Sequence, residues 1–401
     1  MSGTRECVGR DMGDDDDAAR RHRAMSGTSG CLYETEDVRL FHRPAESDYS
    51  VVLFGAGEGR PRLSSRWMSG PGQAALDLYE IVPHDREALP AQQIDALCDV
   101  ITETNSRPAI AVGAGLGGLA ALRHGRRAGC AATLAFSPIG VAPSGDPATG
   151  PDLRQEDLTA TAMVAFDPKV ARDSAQMQAL RRLGGVHGVP LPFMGLRTER
   201  ALIGEGCALK VFGEALHGRL WEAAQLLRHN RAQDDRYLAR LSRACTRRGH
   251  YRWAAEIASK TAPAAQGNPE LALARADALV GLGKSLEAVE TLERLVVDAP
   301  QSARYWSLLA DRYEEMGQDR ATAEVLELAL EVTENFGFCW RLIRKLGAMG
   351  GRSRAQAAAV AEMALEQWPE HREQIVRIAQ GLPPPARGWS APDRRGGALL
   401  P

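Results

Sequence analysis

The chain has little net charge, no cysteine pairs and no long apolar run, and each absence removes a class of function. With 49 basic and 51 acidic residues among 401, the formal net charge is -2, so no general pull toward nucleic acid or an anionic membrane is expected. The cysteines at 7, 31, 98, 130, 207, 245 and 339 are scattered, with no C-x-x-C pair and no Cys/His cluster at metal spacing. That pattern fits reduced thiols in a cytoplasmic protein, with neither a metal nor a cofactor expected. The opening residues carry Asp14 to Asp17 and Arg20 to Arg23 instead of a basic segment followed by an apolar core, so no secretory signal is read there. No apolar run reaches membrane-spanning length. The aspartate run itself reads as a solvated acidic stretch, because nothing fixes its geometry for a metal ion.

What is present divides the chain in two. Residues 1–35 are polar, glycine-rich and charged, and are expected to form a tail; "MSGT" at Met1 recurs at Met25, leaving a start at Met25 open. From 36 to 218, strand-like runs at Val38 to Phe41, Ser50 to Phe54, Leu78 to Val82, Ala109 to Val112, Ala132 to Phe136, Ala160 to Phe166 and Val186 to Leu191 alternate with helical stretches. The helical stretches include Ala91 to Thr104, Gly118 to Ala128, Ala171 to Leu183 and Arg197 to Leu216. Alternation of this kind predicts an α/β domain with a mainly parallel sheet. From 219 to 381 the chain is nearly all helix-forming, and residues 382–401, rich in proline and glycine, are expected to be a second tail.

In the second half, Gly249, Gly283, Gly317 and Gly351 recur at a spacing of 34 residues, in register with pairs such as Ala254 and Ala288, Leu292 and Leu326, and Trp306 and Trp340. Each glycine is predicted to sit in the tight turn between two antiparallel helices. The period resembles that of the tetratricopeptide repeat family, whose first-helix residues fall on Trp306, Leu309, Ala310 and Tyr313 and whose turn falls on Gly317. The preceding unit matches at Ala276, Leu279, Gly283, Ala288 and Pro300, but carries Arg275 where the family prefers leucine. About four units are expected, the outer ones degenerate as caps.

In the first half, "AIAVGAGLGGLAALRHGRRAG" runs a strand into a glycine-rich turn and a helix. Gly113, Gly115 and Gly118 fit the dinucleotide-binding pattern G-x-G-x-x-G, but the next strand ends at Phe136 and Ser137 with no carboxylate for ribose. Gly113 and Gly117 instead resemble the nucleophile elbow G-x-S-x-G of the α/β-hydrolases, with Gly115 in the serine place. The order of parts around it is also similar to that family. Gly55, Ala56 and Gly57 follow an earlier strand as an oxyanion loop would, and Asp167 ends the strand that would carry the acid. "PFMGLRTERAL" stands where the histidine belongs and has none. The resemblance therefore implies a degenerate hydrolase-like domain with no nucleophile and no general base. What it leaves is an oxyanion or ligand pocket built from Gly55, Ala56, Gly57 and the N–H of Leu116.

The repeat resemblance implies a concave surface for a protein or peptide partner, lined by Arg236, Arg243, Asp277, Arg304, Asp311, Arg341 and Lys345. A solvated charged face is the alternative for the same residues. The function expected is a non-catalytic binding or scaffold protein. A hydrolase or acyltransferase acting on an ester or glycan-linked substrate through Ser137 or Asp167 is a second reading, and nucleotide binding at Gly113 to Gly118 a third.

Overall fold

In the computed structural model, residues 30–55, 76–83, 91–140, 153–204, 206–260 and 268–380 are described. The chain forms two compact units divided between Tyr237 and Leu238.

The first unit is an eight-stranded sheet with helices on both faces. Its strands are β1 Gly30–Glu34, β2 Val38–Arg43, β3 Ser50–Phe54, β4 Asp77–Pro83, β5 Ala109–Ala114, β6 Ala132–Phe136, β7 Thr161–Phe166 and β8 Val186–Pro190. They lie in the order β1-β2-β4-β3-β5-β6-β7-β8. Pairing is antiparallel from β1 to β2 and from β2 to β4, and parallel from β4 through β8. The central strands are largely apolar because both faces are covered. Val51, Leu53, Ile110, Val112, Leu134 and Phe136 pack with α4 Cys207–Leu216 and α5 Leu220–Asn230, which bury Val211, Phe212, Ala223 and Leu227. On the opposite face, Val52, Phe54, Ala109 and Ala111 meet Ile94, Leu97 and Ile101 of α1 Ala91–Thr104 and Ala121 of α2 Leu116–His124. Farther along, Val164 and Phe166 meet Met177 and Leu180 of α3 Ala171–Leu183.

Three expectations need correction here. β1 lies inside the stretch read as tail, because an exposed edge strand with pattern "GCLYE" has no alternation to betray it. The helix read from Arg197 to Leu216 is broken into a short 3-10 turn, Thr198–Leu202, and α4, with Gly204 and Gly206 at φ 133° and 67° between them. The boundary placed at 218/219 moves to 237/238, since α5 buries Ala223, Ala224 and Leu227 in the sheet unit's own core. The stretches 1–29 and 381–401 lie outside the described residues.

The second unit is a series of helix hairpins: α6 Asp235–Thr246 with α7 Tyr251–Ala258, α8 Pro269–Gly281 with α9 Ser285–Asp298, α10 Ala303–Glu315 with α11 Asp319–Thr333, and α12 Phe336–Met349 with α13 Gly351–Gln367. A last helix, α14 Arg372–Ala379, follows and buries Ile375. The first three turns close alike. The N–H groups of His250, Lys284 and Gln318 each bond a carbonyl five residues back, on Cys245, Leu279 and Tyr313. That 6→1 closure needs a left-handed residue before the donor, and Gly249, Gly283 and Gly317 supply it at φ 76°, 74° and 69°. The fourth turn carries two positive-φ glycines, Gly350 and Gly351. Trp306, Leu309, Ala310, Ala288, Leu292, Leu326, Leu342 and Ile343 share one core, the stacked arrangement in which each hairpin covers its neighbour's apolar face.

Candidate functional site

The glycine turn lies where the sheet changes direction. β3 leads to β4 on one side while β5 leads to β6 on the other, so the crevice between the carboxyl ends of β3 and β5 is the sheet's topological switch point. Gly115 stands there at φ 60° and ψ -122°, as the residue before α2. This is a sparsely populated conformation, costly for any residue with a side chain and characteristic of functional turns. Its flanking glycines are fixed by contact. A Cβ on Gly113 would lie 2.1 Å from the Gly117 carbonyl oxygen, and one on Gly117 would lie 2.2 Å from that of Phe54. On Gly118 the nearest atom would be 3.3 Å away. The close approach therefore demands glycine at 113 and 117, the spacing of the elbow pattern. A Cβ on Gly115 would meet only the Ile139 side chain, at 3.4 Å, so that position is open but bare.

Of the four residues expected to form the oxyanion pocket, Gly55 and Leu116 are described. The Gly55 N–H is consumed by a 2.8 Å bond to the Ile81 carbonyl, and Ala56 and Gly57 lie outside the described residues. Leu116 opens α2 and is partly exposed, so its N–H has no partner within the helix.

Asp167 follows β7 and is buried, but both its oxygens are used: Oδ2 accepts from the Gly195 N–H at 2.6 Å and Oδ1 from the Lys169 N–H at 2.8 Å. It ties the turn after β7 to the loop at Gly195. Ser137, after β6 at φ 40°, is 1% exposed, and its hydroxyl donates to Asp173 at 2.6 Å and pairs with Thr198 at 2.9 Å. Asp173, in the first turn of α3, also accepts from the Asp167 N–H at 3.2 Å. This network ties the ends of β6 and β7 to α3, and among the described residues no imidazole is a partner of the buried Ser137 hydroxyl. The half-buried His187 is in β8, away from its carboxyl end. Burial pushes the Cys98 thiol up to about 12 and the Cys207 thiol up to about 11, leaving both protonated at neutral pH.

A second buried polar group, at the amino-terminal ends of β3 and β4, escaped the sequence. His42 Nε2 is 2.9 Å from Asp77 Oδ1, and the Ser50 hydroxyl is 2.5 Å from Asp77 Oδ2 and 2.8 Å from Asn105. The His42 ring stacks on Tyr79, with centroids 4.2 Å apart. Burial pushes the Asp77 carboxyl up, yet the bonds from His42 and Ser50 and the charge of Arg107 outweigh it and hold it below the ordinary carboxylate value. Because the carboxylate stands between hydroxyl and imidazole, the group binds three strands together and lacks the serine-to-histidine bond of a nucleophilic triad. No spacing among positions 42, 50 and 77 could have announced it; strand register alone brings them together.

On the helical unit, most of the expected groove charges are held in ion pairs, Arg341 and Asp311 with each other and the rest with neighbouring carboxylates. Arg243 of α6 and Arg304 of α10 both bind Glu270 of α8, Arg304 at 3.0 Å. Arg341 of α12 binds Asp311 at 2.6 Å and Ser307 at 3.0 Å on α10, and Lys345 binds Glu314 at 3.2 Å and Asp319 at 2.6 Å. Hydrogen bonds from Arg243, the largest effect, and from Arg304 hold the Glu270 carboxyl below its ordinary value. The stripe is a ladder between successive first helices of the hairpins. Asp277, exposed between its two halves, has no ion pair among the described residues, and Arg236 falls on the sheet unit's side of the division.

Among the described residues, no three His, Cys, Asp or Glu side chains gather as metal ligands, and no helix is long and apolar enough to cross a membrane. No curated protein sequence matches the chain. Among solved structures, one of the MamA protein covers 43% of this chain and 96% of its own, at 17% identity and TM-score 0.30. MamA MSR-1 covers 36% and 82% at 23% identity and TM-score 0.27. A thermophilic TPR protein of Thermus thermophilus covers 43% and 95% at 22% identity and TM-score 0.27. The repeat that the glycine period marks is met directly in the sequence: residues 246–311 match the tetratricopeptide repeat family.

Proposed function

We propose that the protein is a non-catalytic binding or scaffold protein, holding a peptide of a protein partner on its helical repeats, with a sheet unit that is an α/β-hydrolase-like fold emptied of its chemistry. The observation that carries the second half of this reading is Gly115. It stands at φ 60°, ψ -122° in a tight strand-turn-helix flanked by close-contact glycines, which supports comparison with the sharp, strained turn of a nucleophile elbow, and it presents no side chain. The strand order and the antiparallel β2 agree with that family's sheet. Asp167, with both oxygens bonded to backbone, has become a loop clamp. The first half rests on the repeat match and on the hairpin series, and a cytoplasmic location agrees with the six unpaired cysteines among the described residues.

The hydrolase reading through Ser137 is disfavoured by that residue's burial, and the dinucleotide reading by the spacing of the close-contact glycines, which is 113 to 117 and not 113-115-118. The test is fluorophosphonate labelling of the purified protein, with turnover of small acyl esters, on wild type and Gly115→Ser. Neither protein is expected to label or turn over, because a hydroxyl at 115 still lacks a base. A specific serine adduct whose mutation abolishes hydrolysis would overturn the reading.

A further inference from the structure

Arg275 departs from the repeat pattern at a position where leucine is preferred, and the structure gives it a place. The equivalent positions in the next two units, Leu309 and Ile343, are 2% and 1% exposed and close the gap to the preceding hairpin. Arginine cannot fill that gap dry, since a guanidinium with five donors is costly to bury unpaired. The preceding hairpin is also short on the same side: α7 has 8 residues, whereas α9, α11 and α13 have 14, 15 and 17. Beside these two departures lies a cleft of about 440 Å³ between α7, α8 and α9, lined by Ser259, Lys260, Arg275, Leu279 and Leu282 together with Glu256, Lys284 and Glu287.

The charges of this cleft do not balance. Glu256 is already bound to Arg252 at 3.3 Å, and Glu287 to Lys284 at 2.7 Å. Lys260 and Arg275 have no carboxylate partner among the described residues, in contrast to the paired ladder of Arg243, Arg304, Arg341 and Lys345. Two unmatched cations lie beside leucine, with Leu282 40% exposed. We propose that this cleft is a docking site for a partner-protein peptide carrying a carboxylate next to an aliphatic or aromatic side chain. The carboxylate pairs with Arg275 and Lys260 and the apolar side chain covers Leu279 and Leu282. The inference rests on the helical unit being a peptide-binding module, but assigns the contact to a different surface from the ladder.

The experiment is selection of a random peptide library on the immobilised full-length protein, followed by fluorescence-polarisation binding of the enriched peptides to variants. Arg275→Leu restores the residue the repeat prefers, so its thermal midpoint is expected to be unchanged or raised, and weaker binding cannot be ascribed to unfolding. Enriched peptides are expected to pair Asp or Glu with Leu, Ile or Phe. They should bind Arg275→Leu about tenfold or more weakly, and Lys260→Gln more weakly as well, while Arg320→Gln, on an exposed face outside both surfaces, binds as wild type. The proposal is overturned if no peptide prefers wild type to Arg275→Leu, or if enriched peptides lack acidic residues. Peptides lost on Arg341→Gln and retained on Arg275→Leu would overturn it too, while leaving the ladder face as the binding surface.

Discussion

Gly117 and Gly317 are both required by their folds, and for opposite reasons. In the sheet unit, α2 comes so close to the end of β3 that a Cβ on Gly117 would lie 2.2 Å from a backbone oxygen, although the residue sits in an ordinary helix. In the helical unit a Cβ on Gly317 would meet nothing within 4 Å, and only the torsion, φ 69°, selects glycine. The acids divide in the same way. Asp77, Asp167 and Asp173 are buried in the sheet unit, while Glu270, Asp311 and Glu314 stitch the outside of the helical one. Interlocking contacts specify the first unit, and repeated local rules specify the second.

The largest effect should come from the contact glycine. Gly117→Ala must displace backbone and is expected to cost the sheet unit more than about 3 kcal/mol, read as loss of hydrogen-exchange protection in β3 and β5 with the helical unit unchanged; a cost under about 1 kcal/mol would refute close packing at the turn. Asp77→Ala should follow at about 3 kcal/mol, since it strands buried polar groups on His42 and Ser50. Gly317→Ala should cost only about 1 kcal/mol, the penalty of a left-handed alanine, and urea melts of the two glycine variants compare contact with torsion directly. Arg304→Gln is expected to be smallest, about 0.5 kcal/mol or less, since its partner Glu270 is 41% exposed and water screens the pair.

Acid separates the units further. Burial lowers the His124 value to about 4, so the unfolded chain takes up a proton there first, and stability is lost as pH falls from about 6.5 toward 4. Asp77 has a depressed value: its contribution is present above the ordinary carboxylate range near about 3.9 and is lost as pH falls through its folded value. Protection of the sheet unit should therefore decline before that of the helical unit on acidification; the reverse order would break the comparison.

The repeat was legible because it is local. A glycine every 34 residues and Trp306, Leu309 and Tyr313 at helical spacing state the hairpin and its buried face without reference to distant residues. The strands from Ser50 to Phe54 and Ala132 to Phe136 were legible for the same reason, as apolar runs bounded by turns. Illegible were β1, an edge strand with no alternation, and the allegiance of α5, whose alanines and leucine would suit either unit. The groove residues could be named, but not that Arg243 and Arg304 would share Glu270, because a helix surface does not state which neighbour its charges will meet.

By itself the sequence determined the two architectures, the absence of a side chain at position 115 and the misfit of Arg275 within its repeat, since each is a matter of residue identity at a known period or turn. Only the tertiary structure decided the strand order, the meeting of His42, Ser50 and Asp77, the commitment of both Asp167 oxygens to backbone N–H groups and the unmatched charge beside Leu282. Those features join residues far apart in the chain. Their energies depend on distance and burial, which no local pattern encodes.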